Sequence, residues 1–227
     1  MIREVAQHVV GERVRQAVRP GDLLDPPEFI RVKRNRPSPF LSRQTHLFEK
    51  AKHIERRRYR WLDLEDISPH LKKAVLAAED QRFLSHRGFD FTELGQALRD
   101  FLRAEKTRGA STISMQTART VFLWPDRSWL RKIAEAYYTI LMELMWSKER
   151  IFEIYLNTVH WGKGIMGAEA ASRKYFHTSA ASLNAAQAAL LAAILPNPTR
   201  WRPVNPTDYI RERQWEIMRQ MAHMPLI

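Results

Sequence analysis

After position 60, apolar residues recur mostly at the three- and four-residue intervals of helices, and hardly anywhere do they alternate as a half-buried strand requires. Ser68 and Pro69 mark one start, a hydroxyl that can cap and a proline suited to the first helical position, ahead of an apolar stripe beginning Leu71, Val75, Ala78. Phe83 and His86 continue that spacing, which predicts a helix running to Gly88. Ile133 to Trp146 is apolar almost all round, its polar positions being Glu135, Thr139 and Glu143, and predicts a central, buried helix. At about fourteen residues it falls short of a bilayer span. A capped helix is predicted from Ser147, then a loop punctuated by Gly162, Gly164 and Gly167, then a small-residue helix over "AEAASRKYF". The last core helix is "LNAAQAALLAAIL", stopped by "PNP".

Residues 61–227 therefore read as one mainly α domain, large enough to bury a core. Residues 1–60 differ. They hold a short amphipathic stretch, Val5 to Val18, the loop "RPGDLLDPPEF" and the Pro- and Arg-rich "RNRPSPF", and read as an arm or linker. The chain's formal charge is +12, and these first 60 residues carry 15 Lys and Arg against 7 Asp and Glu. Such an arm suits phosphates, whether of nucleic acid, lipid headgroups or a phosphorylated substrate, or is simply solvated. Cysteine is absent, which removes disulfides and thiolate chemistry, and the eight histidines show no HExxH or paired ligand spacing, so no metal site is expected. No transmembrane stretch or signal peptide is visible.

Three features carry candidate chemistry. Glu79 falls on the apolar stripe, four residues after Val75, where leucine would be ordinary. A carboxylate there is either tied structurally or raised in pKa and usable as a general acid or base. Glu135 is a second carboxylate in an apolar helix, and also stands four residues after Arg131 as an ion-pair partner would. The turn around Gly109, Ser111 and Thr112 leads into a helix with Arg108, Arg119, Arg127, Arg131 and Lys132 nearby; hydroxyls beside several cations suit an anionic group such as a pyrophosphate.

The blocks "AAEDQRFLSHRGFD", "GASTISMQTART", "RKIAEA", "SKERIFEIYLN" and "GAEAASRKYF" resemble, in order and spacing, those of peptidoglycan glycosyltransferases, glycosyltransferase family 51, and among them the monofunctional biosynthetic transglycosylases. The resemblance covers roughly residues 60 to 222. It implies a two-lobed, lysozyme-like α-helical domain with a cleft between lobes and an apolar patch that dips into the membrane. The implied reaction polymerises lipid II with inversion at the MurNAc anomeric carbon and release of undecaprenyl pyrophosphate. Carried over by position, Glu79 matches the catalytic base and Glu135 the second glutamate. Arg119, Arg127 and Arg131 match cations around the pyrophosphate, and Ser111, Thr112 and Gln116 lie in a substrate-contacting motif. No cofactor is built in; a Mg or Mn ion with the pyrophosphate fits the resemblance.

Met115, Arg119, Thr120, Gln96 and Gln187 depart from the family pattern. Met115 would take a hydrogen-bonding group out of the cleft, and Arg119 exchanges a compact ammonium for a planar fork. The resemblance further implies lipid II, the lipid-linked glycan chain, the membrane surface and other cell-wall synthesis proteins as partners, with no nucleic acid. It places the domain at the periplasmic face of the inner membrane, where Phe122, Leu123 and Trp124 are candidates for shallow insertion. Two other readings are a lysozyme-like enzyme that cleaves glycan and a catalytically impaired partner of the synthetic machinery.

Overall fold

The structure is a computed structural model describing residues 60–103, 111–124 and 128–227. The basic arm up to residue 59, Arg108, Gly109 and Arg127 lie outside the described residues. Helices α1 (Pro69–Glu79), α2 (Phe91–Leu102), α3 (Ile113–Phe122), α4 (Trp129–Met145) and α5 (Lys148–Thr158) are followed by a short antiparallel ribbon, β1 (His160–Gly162) and β2 (Ile165–Met166). Then come α6 (Ala168–Phe176), α7 (Ala185–Ile194) and α8 (Asp208–Met221). The mainly α expectation holds. The core reaches further than the sequence reading, which ended it at α7: α8 buries Ile210, Ile217 and Met221.

The helices pack in two groups. In one, α7 lies against both α1 and α8, and α8 against α1. Ala188, Ala189, Ala192 and Ala193 of α7 are completely buried, and side chains this small let the axes come close. Asn184 caps α7 by accepting from the Gln187 amide, and Gln187 Oε1 accepts from the Asn184 amide in return. The departure at Gln187 is thus a capping residue doing what a glutamate does in that position. In the other group α3 packs on α4 and α5, and Phe83 meets Phe152 of α5 with ring centroids 5.7 Å apart.

Helix α1 begins as its sequence dictates, Ser68 accepting from the His70 amide with Pro69 in the first turn. It ends earlier than expected. The chain leaves the helix at Asp80, whose φ is −164°, yet Phe83 and His86 are buried all the same. Gly88 completes the reversal at φ +86°, where a Cβ would stand 2.8 Å from Thr139 Cγ2 of α4, so the position needs both left-handed backbone and no side chain.

The largest correction concerns α4. It is not buried all round. Its buried residues are Glu135, Thr139, Leu141 and Met142, while Trp129, Leu130, Ile133, Tyr137, Ile140 and Leu144 are exposed, Trp129 by 87%. From Leu130 onward the exposed residues follow intervals of three and four, one continuous face. The inward face mixes Leu141 and Met142 with polar groups that are bonded: Thr139 Oγ1 donates to the Glu135 carbonyl, and Glu143 takes hydrogen bonds from Ser114 of α3 and, at 2.7 Å, from Lys148 of α5. Phe122, a candidate for shallow insertion, stacks on Tyr138 at 4.8 Å, and it, Leu123 and Trp124 are half-buried.

Candidate active site

Glu79 is the last residue of α1 and meets α3 through Gln116, whose Nε2 donates to Glu79 Oε2 across 2.9 Å. This hydrogen bond is one of the links between the two helical groups. Glu79 keeps a partly exposed surface although protein encloses most of it. Burial raises its pKa above the ordinary carboxylate value; the Gln116 hydrogen bond lowers it again, as do the charges of Arg213 and Arg119, while Asp80 adds to the rise. A carboxyl raised in this way, yet still reached by solvent, accepts a proton more readily than an ordinary carboxylate.

Its neighbour Asp80 is fully committed. His86 Nε2 lies 3.0 Å from each of its oxygens, and Oδ2 also accepts from the Ile113 amide, the first of α3. A carboxylate at a helix N-terminus satisfies a donor the helix cannot. Asp80 thereby ties the end of α1 to the start of α3, three residues ahead of Gln116 along that helix's first turn. Thr112 reinforces the joint. It is buried, caps α3 by accepting from the Met115 amide, and donates to the Gly88 carbonyl at 2.6 Å. Its hydroxyl is therefore spent on the turn, and it shapes the site rather than reaching a ligand. The carbonyl of the half-buried Ser111 accepts from Gln116 Nε2 at 3.4 Å. Met115 is nine-tenths buried, facing away from solvent where the sequence reading put it in the cleft.

Among the cations, Arg119 is exposed on α3, one turn beyond Gln116 and close enough to act on Glu79. Arg131 and Lys132 are held elsewhere. Both bond the completely buried Glu135, at 3.2 and 2.5 Å, in a cluster on the first turns of α4. The ion-pair reading of Glu135 is realised here, with Lys132 as a second partner that the i,i+4 spacing did not indicate. Arg131 retains a buried Nε without a hydrogen bond among the described residues.

Two residues join the site without having been singled out from the sequence. The hydroxyl of the buried Tyr155 on α5 donates to Gln116 Oε1 at 3.2 Å. Arg213 on α8 brings a second positive charge to Glu79. Neither carries a local signal, because each acquires its meaning from a partner on another helix.

Among the described residues one group, Asp80, His86 and Asp90, brings metal-ligating atoms within 4.8 Å of one another. Asp80 is occupied by His86 and Ile113, and Asp90 Oδ1 accepts from the Thr92 and Glu93 amides while Arg82 lies 3.5 Å from Oδ2. Both oxygens of Asp80 and Oδ1 of Asp90 thus have donors, while the buried Asp90 Oδ2 and His86 Nδ1 have no hydrogen bond among the described residues. No helix among the described residues is long and apolar enough to cross a membrane.

A family model described as Transglycosylase matches residues 45–222. A biosynthetic peptidoglycan transglycosylase of Rhodospirillum centenum is 57% identical over 164 residues, 72% of this chain and 71% of that protein. The protein of the same description from Bacteroides thetaiotaomicron is 51% identical over 168 residues, covering 74% and 68%. That from Aeromonas hydrophila is 51% identical over 178 residues, covering 78% and 75%.

Proposed function

The chain belongs to the transglycosylase family, and from that membership we propose that it polymerises lipid II into linear glycan strands with Glu79 as general base. The observation that carries the proposal is Glu79 itself: partly exposed, raised in pKa by burial, and held at one oxygen by Gln116. In the reaction, the 4-hydroxyl of the acceptor GlcNAc gives its proton to Glu79 as its oxygen bonds the anomeric carbon of MurNAc. The bond from that carbon to the pyrophosphate breaks on the opposite face, the configuration inverts, and undecaprenyl pyrophosphate leaves. Proton removal by a placed base is worth typically ~10²–10⁴-fold.

Two cations near Glu79, Arg119 and Arg213, support synthesis over hydrolysis, since a departing pyrophosphate needs positive charge and a cleaved glycosidic bond does not. Arg127 is assigned to the same task by its position in the motif. A Mg or Mn ion would enter this scheme with the pyrophosphate. Glu135 acts on it through Arg131 and Lys132, whose heads it holds.

A polyprenyl substrate stays in the bilayer, and the enzyme must work at its surface. The exposed face of α4, from Trp129 to Leu144, is apolar where water would favour charge. We assign it to the membrane interface, at the periplasmic face of the inner membrane, with the basic residues before 60 meeting anionic headgroups.

Incubation with lipid II in detergent or vesicles tests the reading, with electrophoresis of the glycan. Polymer should form, and preformed glycan should remain intact. Fragments released from preformed glycan, or no polymer from lipid II, would overturn it.

A further inference from the structure

Glu79, Gln116 and Tyr155 come from α1, α3 and α5 and are linked by two hydrogen bonds that run in one direction. Tyr155 hydroxyl donates to Gln116 Oε1 at 3.2 Å, and Gln116 Nε2 donates to Glu79 Oε2 at 2.9 Å. A glutamine amide has a donor end and an acceptor end, and turning it over exchanges them. At the Nε2 end stand two acceptors, the Glu79 carboxylate and the Ser111 carbonyl, the latter at 3.4 Å. At the other end stands a hydroxyl that can donate. Burial, and next the charge of Glu79, raise the Tyr155 pKa well above the ordinary phenol value. Tyr155 accordingly stays protonated, and a donor, over the whole range in which Glu79 titrates.

We propose that Tyr155 is a positioning residue for glycosyl transfer: its hydroxyl fixes the Gln116 amide so that Nε2 holds Oε2 of Glu79, leaving Oε1 to take the proton from the acceptor. Among the described residues no hydrogen bond reaches Oε1 of Glu79. Without the hydroxyl, the amide is free to present its carbonyl to the carboxylate, which repels the charged form and releases the side chain. Both effects reduce the fraction of Glu79 that is ionised and aimed. The proposal rests on Glu79 being the base.

The tyrosine ring is itself fixed. It lies nearly parallel to Phe152, 6.5 Å between centroids and 12° between planes, and Phe152 in turn contacts Phe83. Replacing Tyr155 by phenylalanine keeps this packing and removes one oxygen. Other charges facing Glu79 are Asp80 at the end of α1, Arg119 from α3 and Arg213 from α8; α7, which also packs on α1, has no titratable side chain. None of these changes in the phenylalanine variant, so an altered pH response is attributable to the hydroxyl.

The experiment measures kcat and KM for lipid II polymerisation against pH in Tyr155→Phe, Gln116→Leu and the double variant, with Glu79→Gln as reference. Tyr155→Phe should lower kcat by about 3–10-fold near neutral pH, the size of one buried hydrogen bond, with KM changed by less than about twofold. The acidic limb of its kcat profile should move to higher pH, and activity should recover towards the parent level on the alkaline side. In the Gln116→Leu background the same change should add almost nothing, because the amide it orients is gone. An unmoved acidic limb, an equal fold-loss in both backgrounds, or an effect on KM alone would overturn the proposal. Activity retained in Glu79→Gln would instead remove the base itself, a separate failure. Nuclear magnetic resonance of the parent protein supplies a check that needs no variant to fold: the Gln116 side-chain amide protons should shift with the titration of Glu79. Amide protons that ignore that titration would also overturn it.

Discussion

The carboxylates of Glu79 and Asp80, adjacent in sequence, have opposite fates: Asp80 is held by His86 and by the first amide of α3, while Glu79 keeps one oxygen without a hydrogen bond from the described residues. The divergence arises because α1 stops between them. One carboxylate joins two helices and the other remains available for a proton, and their replacement should have different signatures.

Glu79→Gln should abolish polymerisation, by about 10²–10⁴-fold, and at the same time stabilise the fold at neutral pH. The sign follows from the raised pKa of Glu79. Its protonated form contributes stability fully below the unfolded carboxylate pKa, and that contribution is lost as pH rises through the folded value. Above it the fold carries a buried charge that glutamine lacks. Thermal unfolding should show the variant ahead at pH 7 to 8 and level with the parent near pH 4; a change of ~1 kcal/mol moves Tm by ~2–4 °C in chains of this size. A variant less stable than the parent at pH 7 contradicts the assignment.

Glu135→Gln should act in the opposite direction on stability. Glu135 is buried between Arg131 and Lys132, and Arg131, only 14% exposed, would lose its counter-charge. Leaving a buried donor unpaired costs about 1–3 kcal/mol. The melting temperature should fall by several degrees, with activity reduced as the cations lose their positions. An unchanged melt with full activity would assign the cluster no role.

Gly88→Ala should destabilise through two separable causes. The left-handed backbone at φ +86° disfavours any side chain, and the new Cβ would meet Thr139 Cγ2. Pairing the change with Thr139→Ser, which removes that methyl while keeping the hydroxyl bond to Glu135, should restore part of the loss. Calorimetry of the single and double variants reads the difference; equal melting temperatures would locate the whole cost in the backbone.

Ile133→Ser with Ile140→Ser should spare the fold, since both side chains are at least half exposed, and weaken vesicle binding. A large aliphatic side chain is worth about 1.5–3 kcal/mol on burial, so the pair should cost at least about tenfold in partitioning. Co-sedimentation with neutral and anionic vesicles, at low and high salt, separates this term from that of the basic residues before 60. Binding unaffected by the two changes would remove α4 from the interface.

Much of this arrangement is legible from local pattern. Ser68 with Pro69 and Ser147 announce helix starts because caps are built from neighbours in sequence. Glu79 stood out as a charge on an apolar stripe. The end of α1 was not legible, because Phe83 and His86 are buried by a reversing turn as thoroughly as by a helix. Tyr155 was not legible as part of the site, because its partner Gln116 lies 39 residues away and Glu79 a further 37. For α4 the hydropathy is legible and the exposed face is not, since an apolar stretch does not say which of its faces meets the rest of the protein.

An outer surface of Trp, Leu, Ile and Tyr over an inner surface that sets Glu135 and Thr139 beside Leu141 and Met142 also reverses the usual rules of variant design on α4. On the proposed membrane role of this face, polar replacement of exposed leucines, the routine remedy for a protein that clumps in purification, would give better yield and a poorer catalyst. Filling the inner positions with leucine, routine for thermostability, would strip Arg131, Lys132, Ser114 and Lys148 of their partners. Screening a library for soluble expression alone would therefore drive it away from turnover, through the very side chains that a generic solubility scale marks as faults.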